Sequence, residues 1–211
     1  SFAVRQPAGV VLAIAPFNYP LLIGMKKVVY AIAAADTVIL KPASFSPMTG
    51  LLIARVFEKV GTPAGVVNVI PCPGKLVGEL LVPDPRVQVV SFTGSEEVGQ
   101  KIGAQAGALM KKVTMELGGK NPLIVLDDYD VDDAVRIAGY GAFLHQGQVC
   151  MCTSRVIVEE KIYDEFCRKM VTRAEGCKVG DPNDRDTVVG PLIKRSQCDF
   201  IDEQIEDALN K

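Results

Sequence analysis

Short apolar runs alternate with helical patterns along the first half of this chain. Gly9–Ala15 is a continuous run rich in β-branched residues, which predicts a strand buried on both faces. Further strand-like runs follow at 37–42, 65–70, 87–92 and 112–117. The helical patterns between them cover 19–35, 46–57, 76–81 and 96–104. Because βαβ crossovers are right-handed, this alternation predicts an α/β fold with a parallel sheet and flanking helices.

A pair of glycines, Gly118 and Gly119, interrupts the pattern. We place a domain boundary there, which gives predicted domains at 1–117 and 118–211. The second half predicts two more strands and further helices, so it also reads as α/β. Its predicted strands cover 123–126 and 154–159, and its predicted helices cover 130–144, 162–173 and 196–211.

Composition excludes several classes of protein. Hydrophobic residues make up 48% of the chain, which is enough for a substantial core. The 23 basic and 25 acidic residues form no long block, so neither a nucleic-acid partner nor a polybasic membrane surface is expected. No apolar run has the length of a membrane span. The six cysteines lack a framework spacing, so we expect a reducing, cytoplasmic compartment and no metal site.

Three short motifs carry the chemistry, and they are spread along the chain. They are Pro16-Phe17-Asn18-Tyr19-Pro20, Glu116-Leu117-Gly118-Gly119-Lys120 and Gly147-Gln148-Val149-Cys150. A cysteine after a glycine turn can present its sulfur to a cleft, although a single cysteine is more often a buried structural thiol. Together and in this order, the motifs resemble the signature of the aldehyde dehydrogenase superfamily. The resemblance runs over nearly the whole chain.

The resemblance implies an aldehyde dehydrogenase fold. A Rossmann-like cofactor domain at 1–117 would precede the first part of a catalytic domain at 118–211. The chain begins at Ser1 without a methionine, ends inside a helical pattern, and is less than half as long as members of this family. We therefore expect a central segment of a longer enzyme, which we expect to be a homo-oligomer (dimer or tetramer).

The same resemblance implies the catalytic residues. Cys150 would be the nucleophile that attacks the aldehyde carbonyl. The side-chain amide of Asn18 and the backbone N–H of Cys150 would form an oxyanion hole. Glu116 would activate the water that releases the acid. The implied reaction oxidises an aldehyde to a carboxylic acid with NAD or NADP, through a thiohemiacetal and a thioester on the cysteine.

The cofactor contacts rest on two patterns and on the resemblance. The segment 93–99 follows a strand and opens a helix, where backbone N–H groups suit a phosphate. Lys41 ends a strand at the edge where ligands of open α/β sheets collect. Taken alone, these patterns are more often a simple helix cap and a solvated strand end. The resemblance assigns the pyrophosphate to Gly94 and Ser95, the adenine to Val98 and the adenosine ribose to Lys41. It extends the cofactor contacts to Ile14, Ala15, Pro16, Phe17, Gly74, Phe92, Leu117 and Gly118.

One position departs from the family pattern. Many NAD-dependent members carry a glutamate three residues after the lysine, and Ser44 stands there in this chain. A carboxylate would repel the 2′-phosphate of NADP, whereas a hydroxyl would not. The departure predicts that NADP is tolerated or preferred.

Other interpretations remain open at this stage. Cys152 could form a metal or redox pair with Cys150, but a lone Cys-x-Cys is a weak signal and we assign Cys152 no role. His145 is the only histidine and could activate Cys150 in a hydrolase, in which case His145→Gln would abolish activity. A catalytically inactive binding or structural protein on the same fold is the second alternative. The ribose-binding Glu-x-Phe-Gly-Pro motif of the family is absent up to Lys211, and the particular aldehyde is not readable.

Overall fold

The computed structural model describes residues 2–211 and divides into two compact units. The first unit extends to Gly118 and the second runs from Gly119 to Lys211. The division thus falls within the glycine pair. The cofactor-binding and catalytic roles of the two units stay predictions.

The first unit is built on a five-stranded parallel sheet with the order β3-β2-β1-β4-β5. This arrangement confirms the predicted parallel α/β fold. Each strand lies within two residues of its predicted bounds at either end. The strands are β1 (Val10–Ile14), β2 (Thr37–Lys41), β3 (Val67–Val69), β4 (Val87–Thr93) and β5 (Lys112–Glu116).

Helices connect these strands and cover both faces of the sheet. Alternate residues of β1 face opposite sides, so Leu12 joins a core with Val90 and Phe92, while Val11 joins a separate core with Leu40. Burial on both faces explains why β1 reads as an unbroken apolar run. The helices are α1 (Pro20–Ala33), α2 (Pro47–Lys59), α3 (Gly74–Leu76), which continues into a π-helical turn (Val77–Leu81), and α4 (Glu96–Ala108).

The second unit has a smaller sheet of two parallel strands. These strands pack on two helices, and Val125, Ala138 and Phe166 lie in the shared core. Among the described residues, no helix is both long and apolar enough to cross a membrane. The elements are β6 (Asn121–Val125), α5 (Val131–Phe143), a 3-10 turn (Leu144–Gly147), β7 (Thr153–Val158), α6 (Glu160–Glu175) and α7 (Arg195–Leu209).

Candidate active site

The carboxyl ends of neighbouring strands in the first unit lie side by side along one edge of the sheet. Ile14 of β1 is paired with Lys41 of β2 on one side and with Phe92 of β4 on the other. The chain runs outward from β1 to β2 and β3 and then crosses to β4 and β5, so the strand order reverses between β1 and β4. In open α/β sheets, ligands bind at the carboxyl edge beside such a reversal.

Most of the predicted cofactor residues end a strand of this sheet or follow one. Because the strands are parallel and in register, their ends bring these residues to the same edge of the unit. Val98 lies nearby, in the first turn of α4, with its side chain exposed. Their contacts with a cofactor stay predictions. The residues at the edge are Ile14, Ala15, Pro16, Phe17, Lys41, Ser44, Gly74, Phe92, Gly94, Ser95, Leu117 and Gly118.

The turn between β4 and α4 has features of an anion site. Ser95 occupies the N-cap position of α4, but its side chain makes no capping hydrogen bond. Thr93 Oγ1 is buried without a hydrogen-bond partner. A Cβ atom at Gly94 would lie 2.6 Å from Cζ of Phe92, so only glycine fits this turn without displacing the ring. Backbone N–H groups at a helix start and an unsatisfied hydroxyl fit a diphosphate group such as that of a dinucleotide.

Lys41 is buried, which makes the solvated strand end an incorrect interpretation. The residue is 5% exposed, and its Nζ donates to the carbonyl oxygen of Pro42 at 2.7 Å. Burial lowers the pKa of Lys41 below its ordinary value, with partial compensation from Cys72. Ser44, three residues on, is exposed. A buried lysine whose neighbour is a backbone carbonyl leaves its remaining N–H groups to a polar ligand at this edge.

Asn18 lies between β1 and α1 and is half-buried. Its Oδ1 accepts a hydrogen bond from the backbone N–H of Tyr19 at 3.0 Å, and this bond fixes the orientation of the side-chain amide. A surface depression of about 460 Å³ adjoins it. The lining of this depression is apolar apart from Asn18, and consists of Tyr19, Pro20, Leu21, Leu22 and Met25.

Glu116 ends β5, and its side chain is exposed. Its backbone carbonyl accepts from the Gly94 N–H at 3.1 Å, which ties the end of β5 to the start of the α4 turn. The predicted base therefore belongs to the same edge as the predicted phosphate turn.

Sequence reasoning missed Lys27, a lysine of α1 whose positive charge interacts with the negative charge of Glu116. Lys27 Nζ donates to Ser91 Oγ of β4 at 2.8 Å. Burial lowers the pKa of Lys27 to about 8, and the negative charge of Glu116 partly opposes the shift. The signal was present in α1, where Gly24, Val28 and Ala31 form the buried stripe. A lysine three residues after the first of these falls in that stripe.

Cys150 belongs to the second unit and is exposed, and its role as the nucleophile stays a prediction. The backbone before it is unusual, because His145, Gln146 and Gly147 all have positive φ, at 53°, 58° and 72°. Val149 is 7% exposed and anchors the turn in the core. The turn therefore has a buried residue immediately before the exposed Cys150.

Cys152 is half-buried, with its Sγ 3.9 Å from the carbonyl oxygen of Leu144. Within residues 2–211, no three histidine, cysteine, aspartate or glutamate side chains are grouped as a metal site would need. The absence of a role for Cys152 stays a prediction.

A profile of the aldehyde dehydrogenase family matches residues 1–211. The chain belongs to the aldehyde dehydrogenase family. The match confirms the resemblance inferred from the three motifs, and it covers both units.

Known aldehyde dehydrogenases are similar along nearly the whole chain. The benzaldehyde dehydrogenase of Bacillus subtilis is 44% identical over 98% of this chain and 43% of its own length. The vanillin dehydrogenase of Corynebacterium glutamicum is 44% identical over 96% of this chain and 42% of its own. A crystal structure described as an E. coli NADP-dependent enzyme has a TM-score of 0.94 and 40% identity, over 97% of this chain and 43% of that one. The chain thus spans less than half the length of each of these similar proteins.

Proposed function

We propose that this chain supplies the cofactor-binding edge and the nucleophile of an aldehyde dehydrogenase that oxidises an aldehyde to a carboxylic acid. The observation that carries the proposal is the exposed thiol of Cys150, in a turn anchored by buried Val149. A structural thiol would be buried instead. Membership of the family supports the same reaction class.

The first step is the addition of the Cys150 thiolate to the aldehyde carbon, which gives a thiohemiacetal. During this addition the C=O π electrons move onto the carbonyl oxygen, where negative charge develops. Two donors, the Asn18 amide and the backbone N–H of Cys150, stabilise this charge. One such donor contributes about 3–4 kcal/mol in other enzymes.

A nicotinamide cofactor supplies the hydride acceptor, which no protein side chain can provide. The residues that would hold it line the carboxyl edge of the first unit. Gly94 and Ser95 would contact its diphosphate, and Lys41 its ribose. The fit rests on the orphaned hydroxyl of Thr93, the buried ammonium of Lys41 and the close approach at Gly94.

Glu116 completes the reaction as a general base. It takes a proton from water, which attacks the thioester carbon of acylated Cys150 and releases the acid. The thiolate is regenerated as the leaving group. A sulfur nucleophile suits this sequence because a thioester is reactive enough for water to cleave.

Cofactor preference follows from Ser44. Because Ser44 places a neutral, exposed hydroxyl three residues beyond Lys41, the 2′-phosphate of NADP meets no opposing carboxylate there. We propose that NADP is used at least as well as NAD. Similar structures include one described as NADP-dependent and one described as NAD-dependent, so the proposal rests on Ser44.

The substrate class follows from the apolar depression beside Asn18. The reacting carbonyl would meet the Asn18 amide, and the rest of the aldehyde would lie on Leu22 and Met25. Such a lining favours an apolar or aromatic aldehyde over a charged one. The similarity to benzaldehyde and vanillin dehydrogenases supports the same class.

The test is reduction of NAD and NADP by the full-length enzyme that contains this chain, with benzaldehyde, vanillin and a charged aldehyde. We expect reduction with the aromatic aldehydes and none after Cys150→Ala. The His145→Gln variant should keep most of the activity, because histidine has no part in this mechanism. Unchanged turnover by Cys150→Ala, or loss of activity in His145→Gln alone, would overturn the proposal.

A further inference from the structure

The turn before Cys150 stores backbone strain. His145 and Gln146 adopt left-handed φ values of 53° and 58°, and neither is a glycine. Each such residue costs about 1–2 kcal/mol relative to right-handed backbone. Other interactions must therefore hold the turn in this shape.

Asn121, the first residue of β6, contacts the turn on one side. Its Nδ2 donates to the carbonyl oxygen of Cys150 at 2.9 Å and to that of Cys152 at 3.1 Å. The side-chain amide of Asn121 thus bonds the backbone both before and after Met151. A Cβ atom at Gly119 would lie 2.7 Å from the same Cys150 oxygen, so a glycine is needed for this approach.

Gln148 attaches the turn on its other side. Its Oε1 accepts from the backbone N–H of Ile193 at 3.0 Å, which links the turn to the segment that precedes α7. Gln148 N also donates to the His145 carbonyl oxygen at 3.1 Å, which closes the strained turn. The backbone leading into Cys150 is therefore held through Gln148, and the backbone leaving it through Asn121.

We infer that Asn121 and Gln148 are positioning residues that fix Cys150 for attack on the carbonyl. The inference rests on the proposed nucleophilic role of Cys150. Neither side chain touches the substrate in this account. Each acts by holding the backbone, so that the direction of the Cα–Cβ bond of Cys150 is set before the aldehyde arrives. A misplacement of about 1 Å at a reacting atom can cost on the order of 100-fold in rate.

The first variant is Asn121→Asp, which keeps the shape of the side chain but removes both donors. It also brings a carboxylate against two carbonyl oxygens. We expect kcat to fall about 10- to 100-fold while KM stays within about twofold, because the turn loses geometry rather than substrate contacts. Asn210→Asp, the same change at the exposed C-terminus of α7, is the matched control and should leave both constants unchanged.

The second pair of variants changes Gln148. Gln148→Leu removes the acceptor for the Ile193 N–H and should lower kcat in the same way. Gln148→Glu keeps an acceptor at that position and should restore most of the rate. A purely structural role would lower stability in both variants without this difference between them.

Hydrogen exchange of residues 145–152 supplies a readout that does not depend on activity. Asn121→Asp and Gln148→Leu should exchange faster in this segment, with α6 unchanged as a measure of intact folding. Faster exchange with unchanged kcat, or unchanged exchange, would overturn the inference. Failure of the proposed function would appear separately, as full turnover in Cys150→Ala.

Discussion

The carboxyl edge of the first unit and the cysteine turn of the second are built by different means. At the edge, residues are placed by strand register and by two buried cores, with Leu12 and Leu40 fully buried. At the turn, the backbone is left-handed at three successive residues from His145, and side-chain amides hold it. The predicted cofactor-binding edge thus rests on the fold, whereas the predicted nucleophile relies on a few hydrogen bonds. Substitutions should therefore affect the two regions in different ways.

The largest effect is expected at Glu116, an exposed side chain at the end of a well-held strand. Glu116→Gln keeps the size of the side chain but removes the base, so kcat should fall about 100- to 10,000-fold. Stability should not change, because the side chain is exposed. Steady-state kinetics and thermal unfolding check both parts. A large loss of stability would mean that Glu116 belongs to the structure of the edge.

The core beneath the edge gives the next largest effect. Leu40→Ala removes a fully buried side chain of β2 and should cost about 2–5 kcal/mol of unfolding free energy. Urea unfolding measures the loss. Leu22→Ala, at an exposed position of α1, is the control and should cost far less.

Cofactor preference is a smaller effect that concerns the edge alone. Ser44→Glu introduces a carboxylate that repels a 2′-phosphate and can bind ribose hydroxyls. We expect the ratio of kcat/KM for NADP to that for NAD to fall about tenfold or more, equivalent to at least about 1.4 kcal/mol. Ser44→Gln is the neutral control. An equal shift in both variants would show that size, not charge, sets the preference.

The pH dependence of stability concerns Lys27, a half-buried lysine of α1. Its pKa is lowered from 10.5 to about 8 by burial, so the folded protein binds fewer protons at this group than the unfolded chain between these values. The free-energy cost of burying the protonated Lys27 side chain is fully present below pH 8 and is relieved as the pH rises toward 10.5. Stability of the wild type should therefore rise relative to Lys27→Met between pH 7.5 and 10. Urea unfolding at the two pH values tests this, and a constant difference would contradict it.

Much of the first unit could be predicted from sequence because buried positions of strands and helices carry apolar residues in a regular pattern. The run Val10–Ile14 is apolar throughout since both of its faces are covered. Because proline favours the first turn of a helix, Pro20 and Pro47 predicted the first residues of α1 and α2 to within one position. Lys41 was harder, because a lysine at a strand end looks the same in sequence whether or not the fold covers it.

The cysteine turn was far less predictable. Its motif identified Cys150, but nothing local signals that His145 and Gln146 would be left-handed, since neither is glycine. The contact of Asn121 with Cys150 joins residues 29 positions apart and depends on how β6 lies beside β7. Long-range hydrogen bonds of this kind leave no periodic pattern. The motif therefore predicts which residue of the turn could react, but it does not predict the backbone geometry of the turn.

The central claim is that the exposed sulfur of Cys150 becomes acylated during aldehyde oxidation. The most direct measurement is tandem mass spectrometry of the protein quenched during turnover of benzaldehyde with NADP, in the Glu116→Gln variant, where hydrolysis is slowed. We expect a benzoyl group on Cys150 and none on Cys152. Oxidation that proceeds with Cys150 unmodified, or with the acyl group on another residue, would contradict it.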